Sequence, residues 1–353
     1  MSTKEKRTEI SQLGEFGLIE RLKSLIATVR PDTVAGIGDD AAVIDAGNHY
    51  LLWTADMLVE GIHFDLSFTP LQHLGHKAVT ANVSDIAAMN GVPSHVVVSL
   101  GLSNRFSVEA VEALYEGMRA ACEQYGVDLV GGDTCASRSG LILSLSAIGK
   151  AGKDDVVKRS GAKPKDIVCV TGDLGGAYIG LQVLLREKEV YMANPDMQPV
   201  LEKYAYAVGR QLRPVARTDI VHELREAGVR PTAMIDVSDG LASDLFHICA
   251  RSKTGVRLFE DKIPIDAQVY NTAAMEFKLD PATCALNGGE DYELLFTINP
   301  ADFEKIKNHP DIHFIGYITD NPEERILVTK QNNLVPLQAQ GWNHFRPASE
   351  SGR

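Results

Sequence analysis

The chain is poor in the residue patterns that announce most enzymes. It has five cysteines in 353 residues, Cys122, Cys135, Cys169, Cys249 and Cys284. The number is odd, and no C-x-x-C pair or Cys/His cluster occurs. A zinc site and a disulfide framework are therefore disfavoured, and a reducing cytoplasm is the expected setting. There is no G-x-x-x-x-G-K-[ST] run, so no P-loop, and no H-R-D or D-F-G set, so no protein kinase. No Ser/His/Asp or Cys/His nucleophile set stands out. No uncharged stretch reaches transmembrane length. The start, Met1 to Arg7, is charged and no apolar core follows it directly, so no signal peptide is expected. Net positive charge is also missing. The formal value is −12, which disfavours non-specific contact with nucleic acid or an acidic membrane.

The remainder is an ordinary globular composition, 44% hydrophobic and 23% charged, long enough for two domains. What is plentiful is Asp beside Gly or Ser in short turns next to apolar runs. They read Gly38-Asp39-Asp40, Thr54-Ala55-Asp56, Ser84-Asp85, Gly131-Gly132-Asp133-Thr134, Asp236-Val237-Ser238-Asp239-Gly240 and Gly288-Gly289-Glu290-Asp291. Small residues let a backbone approach a ligand, and carboxylates bind hard cations.

Leu18, Ile19, Leu22, Leu25 and Ile26 have helical spacing, which predicts a helix to about Arg30, before Pro31. Tyr50 to Thr54 reads as a strand delivering Asp56. A helix is expected from Thr69-Pro70 to about Met89, with Asn82 and Asp85 on one face. Val96–Leu100 is a strand. Ser107 caps a helix that Gly126 stops. Leu141–Ile148 alternates as a strand. The charged stretch from Lys150 to Pro164 is the expected domain boundary, dividing 1–152 from 153–353. Beyond it come strands at Ile167–Thr171, Met234-Ile235 and Tyr292–Ile298, with helices between them. Alternation in both halves predicts two α/β or α+β domains.

Taken singly, each Asp motif is an ordinary turn or cap; Asp239, for example, is well placed to cap the helix from Leu241. Jointly they pose a problem. Two bare carboxylates about 4 Å apart repel by roughly 4 kcal/mol at an effective dielectric of 20. Convergence would require cations, and an all-oxygen donor set points to Mg²⁺, Mn²⁺ or Ca²⁺. Gly172-Asp173-Leu174-Gly175-Gly176, between a strand and a helix, could hold a phosphate on free N–H groups or simply pack closely. Lys77, Lys158 and Arg159 are the basic candidates for anionic phosphates, and equally ordinary surface charges.

The motifs in order, with Glu60-Gly61-Ile62-His63-Phe64, Arg159-Ser160-Gly161-Ala162 and Gly341-Trp342-Asn343-His344-Phe345, resemble the thiamine-monophosphate kinase family over nearly the whole chain. The resemblance implies transfer of phosphate from ATP to thiamine monophosphate. It implies the fold of aminoimidazole ribonucleotide synthetase and selenophosphate synthetase, with N-terminal sheets paired across a homodimer. It implies Asp40, Thr54, Asp56, Asp85, Asp133, Asp236 and Asp239 as ligands of several Mg²⁺ ions. Tyr115, Gly132, Asp133, Arg159 and Ser238 match ATP-binding positions, and His63, Glu290 and Trp342 match substrate positions. Trp342 would face the thiamine rings and Glu290 would complement the thiazolium charge. Ala55 departs from the family, which carries a Thr ligand there. That departure puts metal number and affinity in question.

Three rivals stay open on the residues alone. A synthetase of the same fold is one, although selenophosphate synthesis needs an early Cys and none precedes Cys122. A metal-dependent phosphohydrolase is another, marked by phosphate release without thiamine monophosphate. A non-catalytic Mg²⁺-nucleotide module is the third, marked by ATP binding without turnover.

Overall fold

The computed structural model describes residues 8–340. Strands β1 (Thr33–Ala35), β2 (Ala42–Asp45), β3 (Tyr50–Val59), β4 (Val92–Leu102), β5 (Asp128–Ala136) and β6 (Ile142–Ala151) form a first sheet, ordered β1-β2-β3-β6-β4-β5. Only the β4–β5 pairing is parallel, as expected for strands joined through a crossover helix. Helices α2 (Leu71–Ala88) and α3 (Val108–Tyr125) lie on one face. Leu52, Val98, Leu143 and Leu145 of the sheet meet Leu74, Val79, Val83, Leu114 and Met118 of the helices. Each such buried side chain contributes about 1.5–3 kcal/mol by leaving water.

The two helices cross through glycine. A Cβ on Gly75 would stand 2.0 Å from the Leu114 carbonyl oxygen, and one on Gly117 would stand 1.9 Å from that of Gln72. The caps of α3 are those expected: Ser107 Oγ accepts from the Ala110 N–H at 3.3 Å, and Gly126 closes the helix at φ 65°.

A second sheet is built from β7 (Ile167–Thr171), β8 (Ala233–Asp236), β9 (Gly255–Phe259), β10 (Leu294–Ile298), β11 (Ile312–Thr319), β12 (Arg325–Val328) and β13 (Leu334–Pro336). Its order is β13-β12-β9-β11-β7-β10-β8, antiparallel except for β9–β12. Helices α4 (Gly176–Ala193), α5 (Ala205–Leu212), α6 (Thr218–Glu226) and α7 (Leu241–Ser252) accompany it. β8 and β10 are buried throughout, on both faces. One face packs with Leu241, Leu245 and Ile248 of α7, the other with Ile220, Val221 and Leu224 of α6. That explains their largely apolar sequences, without the alternation of a half-buried strand.

The halves share a core. Ala87 and Ala88, at the end of α2, pack with Met234, Leu294 and Phe296 of the second sheet. The connecting segment is fastened to both sides, with Val157 N donating to Met89 O at 3.2 Å and Met234 N to Lys158 O at 3.0 Å. It thereby covers the edge of β8.

One expected element is shorter than its pattern. Helix α1 spans Gly14–Lys23 rather than reaching Arg30. Ser24 Oγ turns back to Arg21 O at 2.6 Å, and Leu25, Ile26 and Val29 are 75%, 63% and 85% exposed. Helical spacing persists there, but no surface receives it, and most helical stability comes from such packing.

Candidate active site: a carboxylate cluster between the two sheets

The end of α2, the inner face of β3 and the end of β8 converge at the shared core. Asp40, from the β1–β2 loop, Asp85 of α2 and Asp236 of β8 place carboxylate oxygens within 4.8 Å of one another. Thr54 Oγ1 donates to Asp85 Oδ2 at 2.5 Å, and Ser84 Oγ to Asp236 Oδ2 at 2.6 Å. Asp56 follows Thr54 on the same face of β3, since side chains alternate with a period of two. Four carboxylates that are far apart in sequence thus meet, as the scattered turns suggested.

Their charges are crowded. Burial first, then the Asp40 charge, pushes Asp56 up to about 6. The same two causes push Asp236 up to about 7. Asp85 is driven well above the carboxylate range by burial and by Asp56, Asp236 and Asp40. One cation partly compensates. Arg159 grips Asp40 through Nη2 at 2.7 Å and Nε at 3.2 Å, while its N–H binds Asp39 Oδ1 at 2.7 Å.

These residues fit a hard cation. The donors are all oxygen, and the raised carboxylates gain by meeting positive charge. Asn82 adds a further sign. It is fully buried one helical turn before Asp85, and its Nδ2 is bonded to Ala78 O at 3.1 Å. Its Oδ1 has no partner among the described residues. An orphan acceptor of this kind costs about 1–3 kcal/mol unless something arrives to satisfy it.

The Asp236–Gly240 turn and the Gly288–Asp291 turn lie side by side. Glu290 N donates to Ser238 O at 2.8 Å and Tyr292 N to Val237 O at 2.9 Å. Gly289 permits this, because a Cβ there would stand 2.3 Å from Ser238 O. Asp239 is not the cap of α7. Gly240 holds that position, and Asp244 accepts from the N–H groups of Asp239 at 3.2 Å and Gly240 at 3.1 Å. Asp244 carried no signal in the sequence beyond its place in the first turn of α7.

Other candidates stand elsewhere. Asp133 and Gly132 lie within strand β5, not in a turn. Register carries Asp56 across Leu145 and Val98 to Gly132, so two strands intervene and the separation is about 14 Å. Asp133 pairs with Ser99, on the opposite face from Asp56. Gly132 has its own structural reason, since a Cβ would fall 1.7 Å from Val98 O. Ala55 also turns to that opposite face, with 54 and 56 inward. A longer side chain at 55 would not point at the cluster of its own chain, so this departure leaves the four-carboxylate set intact. Tyr115 is half-buried on α3, packed against the first core. His63 Nδ1 accepts from Val59 N at 3.0 Å, which places the neutral ring's proton on Nε2. Trp342 lies outside the described residues. The last of these, Gln340, donates its N–H to Asn287 Oδ1 at 2.7 Å, close in sequence to Glu290.

Two basic or glycine-rich candidates are already engaged. Lys77 is buried, with Nζ 2.8 Å from Glu290 Oε1. The N-terminus of α4 is held by Asp291, which accepts from Gly175 N at 2.7 Å and Ala177 N at 3.1 Å. A carboxylate of the chain itself thus occupies the position where a phosphate was considered.

Comparison with known proteins places both the fold and the chain. Residues 38–151 match the family "AIR synthase related protein, N-terminal domain". Structures of the hydrogenase maturation protein HypE share the fold, one in complex with ATP at TM-score 0.65 and 18% identity, covering 90% of this chain and 92% of that one. Nearer relatives narrow the class. Thiamine-monophosphate kinase of Bacillus subtilis is 34% identical over 337 residues, covering 91% of this chain and 98% of that protein. That of Aquifex aeolicus is 34% identical, covering 95% and 99%. The structure of AaThiL complexed with AMPPCP and TMP superposes with a TM-score of 0.82 at 32% identity, covering 96% of this chain and all of that one. The chain belongs to the thiamine-monophosphate kinase family.

Proposed function

We propose that this protein transfers the γ-phosphate of ATP to thiamine monophosphate, giving ADP and thiamine diphosphate. The observation that carries the reading is the convergence of Asp40, Asp56, Asp85 and Asp236 at the junction of the two sheets, in a chain whose relatives bear that name. The acceptor is a phosphate monoester whose second pKa is about 6, so it is already largely dianionic at neutral pH. It needs no general base, and the absence of a nucleophile–base set fits. The obstacle is the approach of two anions. Bound Mg²⁺ would supply the charge that lets them meet.

The chain's residues then divide the work. Asp40, Asp56, Asp85 and Asp236, with Thr54 and Asp239, would hold the cations. Arg159, now paired with Asp40, would offer its guanidinium to the nucleotide phosphates, and Ser238 stands in the adjoining turn. His63 would donate from Nε2, and Glu290 and Trp342 would take the acceptor's rings. In-line positioning and charge stabilisation are the whole of the catalytic task.

The remaining candidates, Gly132, Asp133 and Tyr115, point to a second copy. The outer face of the first sheet exposes Trp53, Met57 and Val97 at 52%, 56% and 40%, and Asp133 stands on that face. A homodimer paired through it would cover an apolar surface of a kind that rarely stays open. The division of the chain near residue 152 belongs to the same reading, as does a cytoplasmic setting, where the five free thiols would persist. No helix among the described residues is long and apolar enough to cross a membrane.

The test is product analysis with purified protein, ATP and thiamine monophosphate. Phosphate release without the acceptor would favour a hydrolase instead. Tight ATP binding without turnover would favour a binding module.

A further inference from the structure

Lys77 is a lysine in an unusual place. It sits in the middle of α2, its side chain 4% exposed, where lysine rarely lies without a partner. Its ammonium reaches out of the first half of the chain into the second. Nζ is 2.8 Å from Glu290 Oε1 and 3.3 Å from the Gln211 carbonyl oxygen of α5. Gln211 Nε2 in turn donates to Glu290 Oε2 at 2.8 Å. Both carboxylate oxygens of Glu290 are therefore held, one from each half. Its backbone sits at φ 65°, a conformation that a non-glycine residue keeps only when its surroundings enforce it. The carboxylate still leaves 28% of its side chain open.

We infer that Lys77 and Gln211 are positioning residues that fix the Glu290 carboxylate for the acceptor, and that Lys77 does not bind phosphate. This rests on the reading of Glu290 as an acceptor-binding residue. The physical case is one of preorganisation. A free glutamate must lose rotamer freedom each time it meets a ligand. A glutamate clamped at both oxygens has lost it already, and each oxygen keeps a lone pair for a ligand donor. Because the clamp spans the two halves, it also ties the acceptor side of the site to α2, which carries Asp85 about two turns further on.

The test uses full-length Lys77→Met, Gln211→Met and Glu290→Gln proteins, with steady-state kinetics varying thiamine monophosphate and ATP separately, and thermal melts alongside. Lys77→Met should raise KM for thiamine monophosphate roughly tenfold, with KM for ATP nearly unchanged. The Lys77→Met/Glu290→Gln double variant should be little worse than Glu290→Gln alone, because the two act as one unit. Should Lys77→Met fail to fold, Gln211→Met carries the same expectation. An unchanged acceptor KM in the folded variants, or an equal rise for ATP, overturns the positioning claim. If Glu290→Gln itself leaves the acceptor KM unchanged, the reading of Glu290 fails instead. If Glu290→Gln raises it while Lys77→Met and Gln211→Met do not, only the positioning claim fails.

Discussion

Replacing a buried carboxylate of the cluster should make the metal-free protein more stable while disabling it. Asp236→Asn is the sharpest case. Asp236 is buried, and its pKa is raised from 3.8 to about 7. A carboxylate whose folded pKa is raised takes up a proton on folding. Its penalty is absent at pH well below 3.8, grows as pH rises from 3.8 to 7 and is complete above 7, so stability falls across that window. At about 1.36 kcal/mol per unit the shift amounts to roughly 4 kcal/mol at pH 8. Coulomb's law gives a similar size. Two charges at the 4.8 Å limit repel by about 3.5 kcal/mol at a dielectric of 20. Asn keeps an oxygen for Ser84 and removes the charge. For 353 residues, an unfolding entropy of about 0.7 kcal/mol/K turns 4 kcal/mol into roughly 5 °C. Melting in EDTA should therefore show Asp236→Asn several degrees above the parent at pH 8, and only about a third as far above it at pH 5. Added Mg²⁺ should raise the parent's melting temperature at pH 8 and the variant's much less. A variant less stable than the parent at pH 8, or a shift of equal size at pH 5, would refute the electrostatic reasoning.

Asp56→Asn and Asp85→Asn should lower kcat about 100-fold or more and shift the Mg²⁺ dependence, in steady-state assays; near-normal kcat with unchanged Mg²⁺ dependence would sink the metal-cluster reading. Arg159→Met leaves Asp40 without its guanidinium and should cost the metal-free protein about 3 kcal/mol, with Mg²⁺ restoring more stability to the variant than to the parent. Gly117→Ala should destabilise by about 3 kcal/mol by thermal melt, since the new Cβ meets the Gln72 backbone at 1.9 Å and cannot move aside; a change below 1 kcal/mol would contradict that close crossing. Light scattering should give twice the 38.4 kDa chain mass, and Trp53→Glu should shift it toward the monomer.

The elements most readable from the sequence were those whose pattern matched their burial. α3 has its Ser107 cap and Gly126 stop, and β7 has an apolar run with turns at both ends. α1 was overread, because helical spacing in Leu25 and Ile26 does not disclose whether a surface waits for them. Gly132-Asp133 looked like a turn because Gly and Asp favour turns. In fact Gly132 lies in a strand pressed against Val98 of β4, a tertiary reason invisible locally. The carboxylate cluster was legible as chemistry but not as geometry. Periodicity places Asp85 on a helix and Asp56 on a strand, yet only the shared core of Ala87, Ala88 and Met234 brings α2 to β8. The caps supplied by Asp244 and Asp291 were missed for the same reason. An Asp that accepts backbone N–H groups looks identical in sequence to one that awaits a metal. The alternative of Lys77 as an ordinary surface charge failed because lysine is usually exposed, whereas here it is 3% exposed and paired with Glu290.

The most direct measurement follows thiamine monophosphate and ATP by chromatography, with and without Mg²⁺. The expected result is Mg²⁺-dependent formation of thiamine diphosphate and ADP in equal amounts. ADP appearing without thiamine diphosphate, or no conversion across neutral pH with Mg²⁺ or Mn²⁺ present, would contradict the proposed phosphoryl transfer.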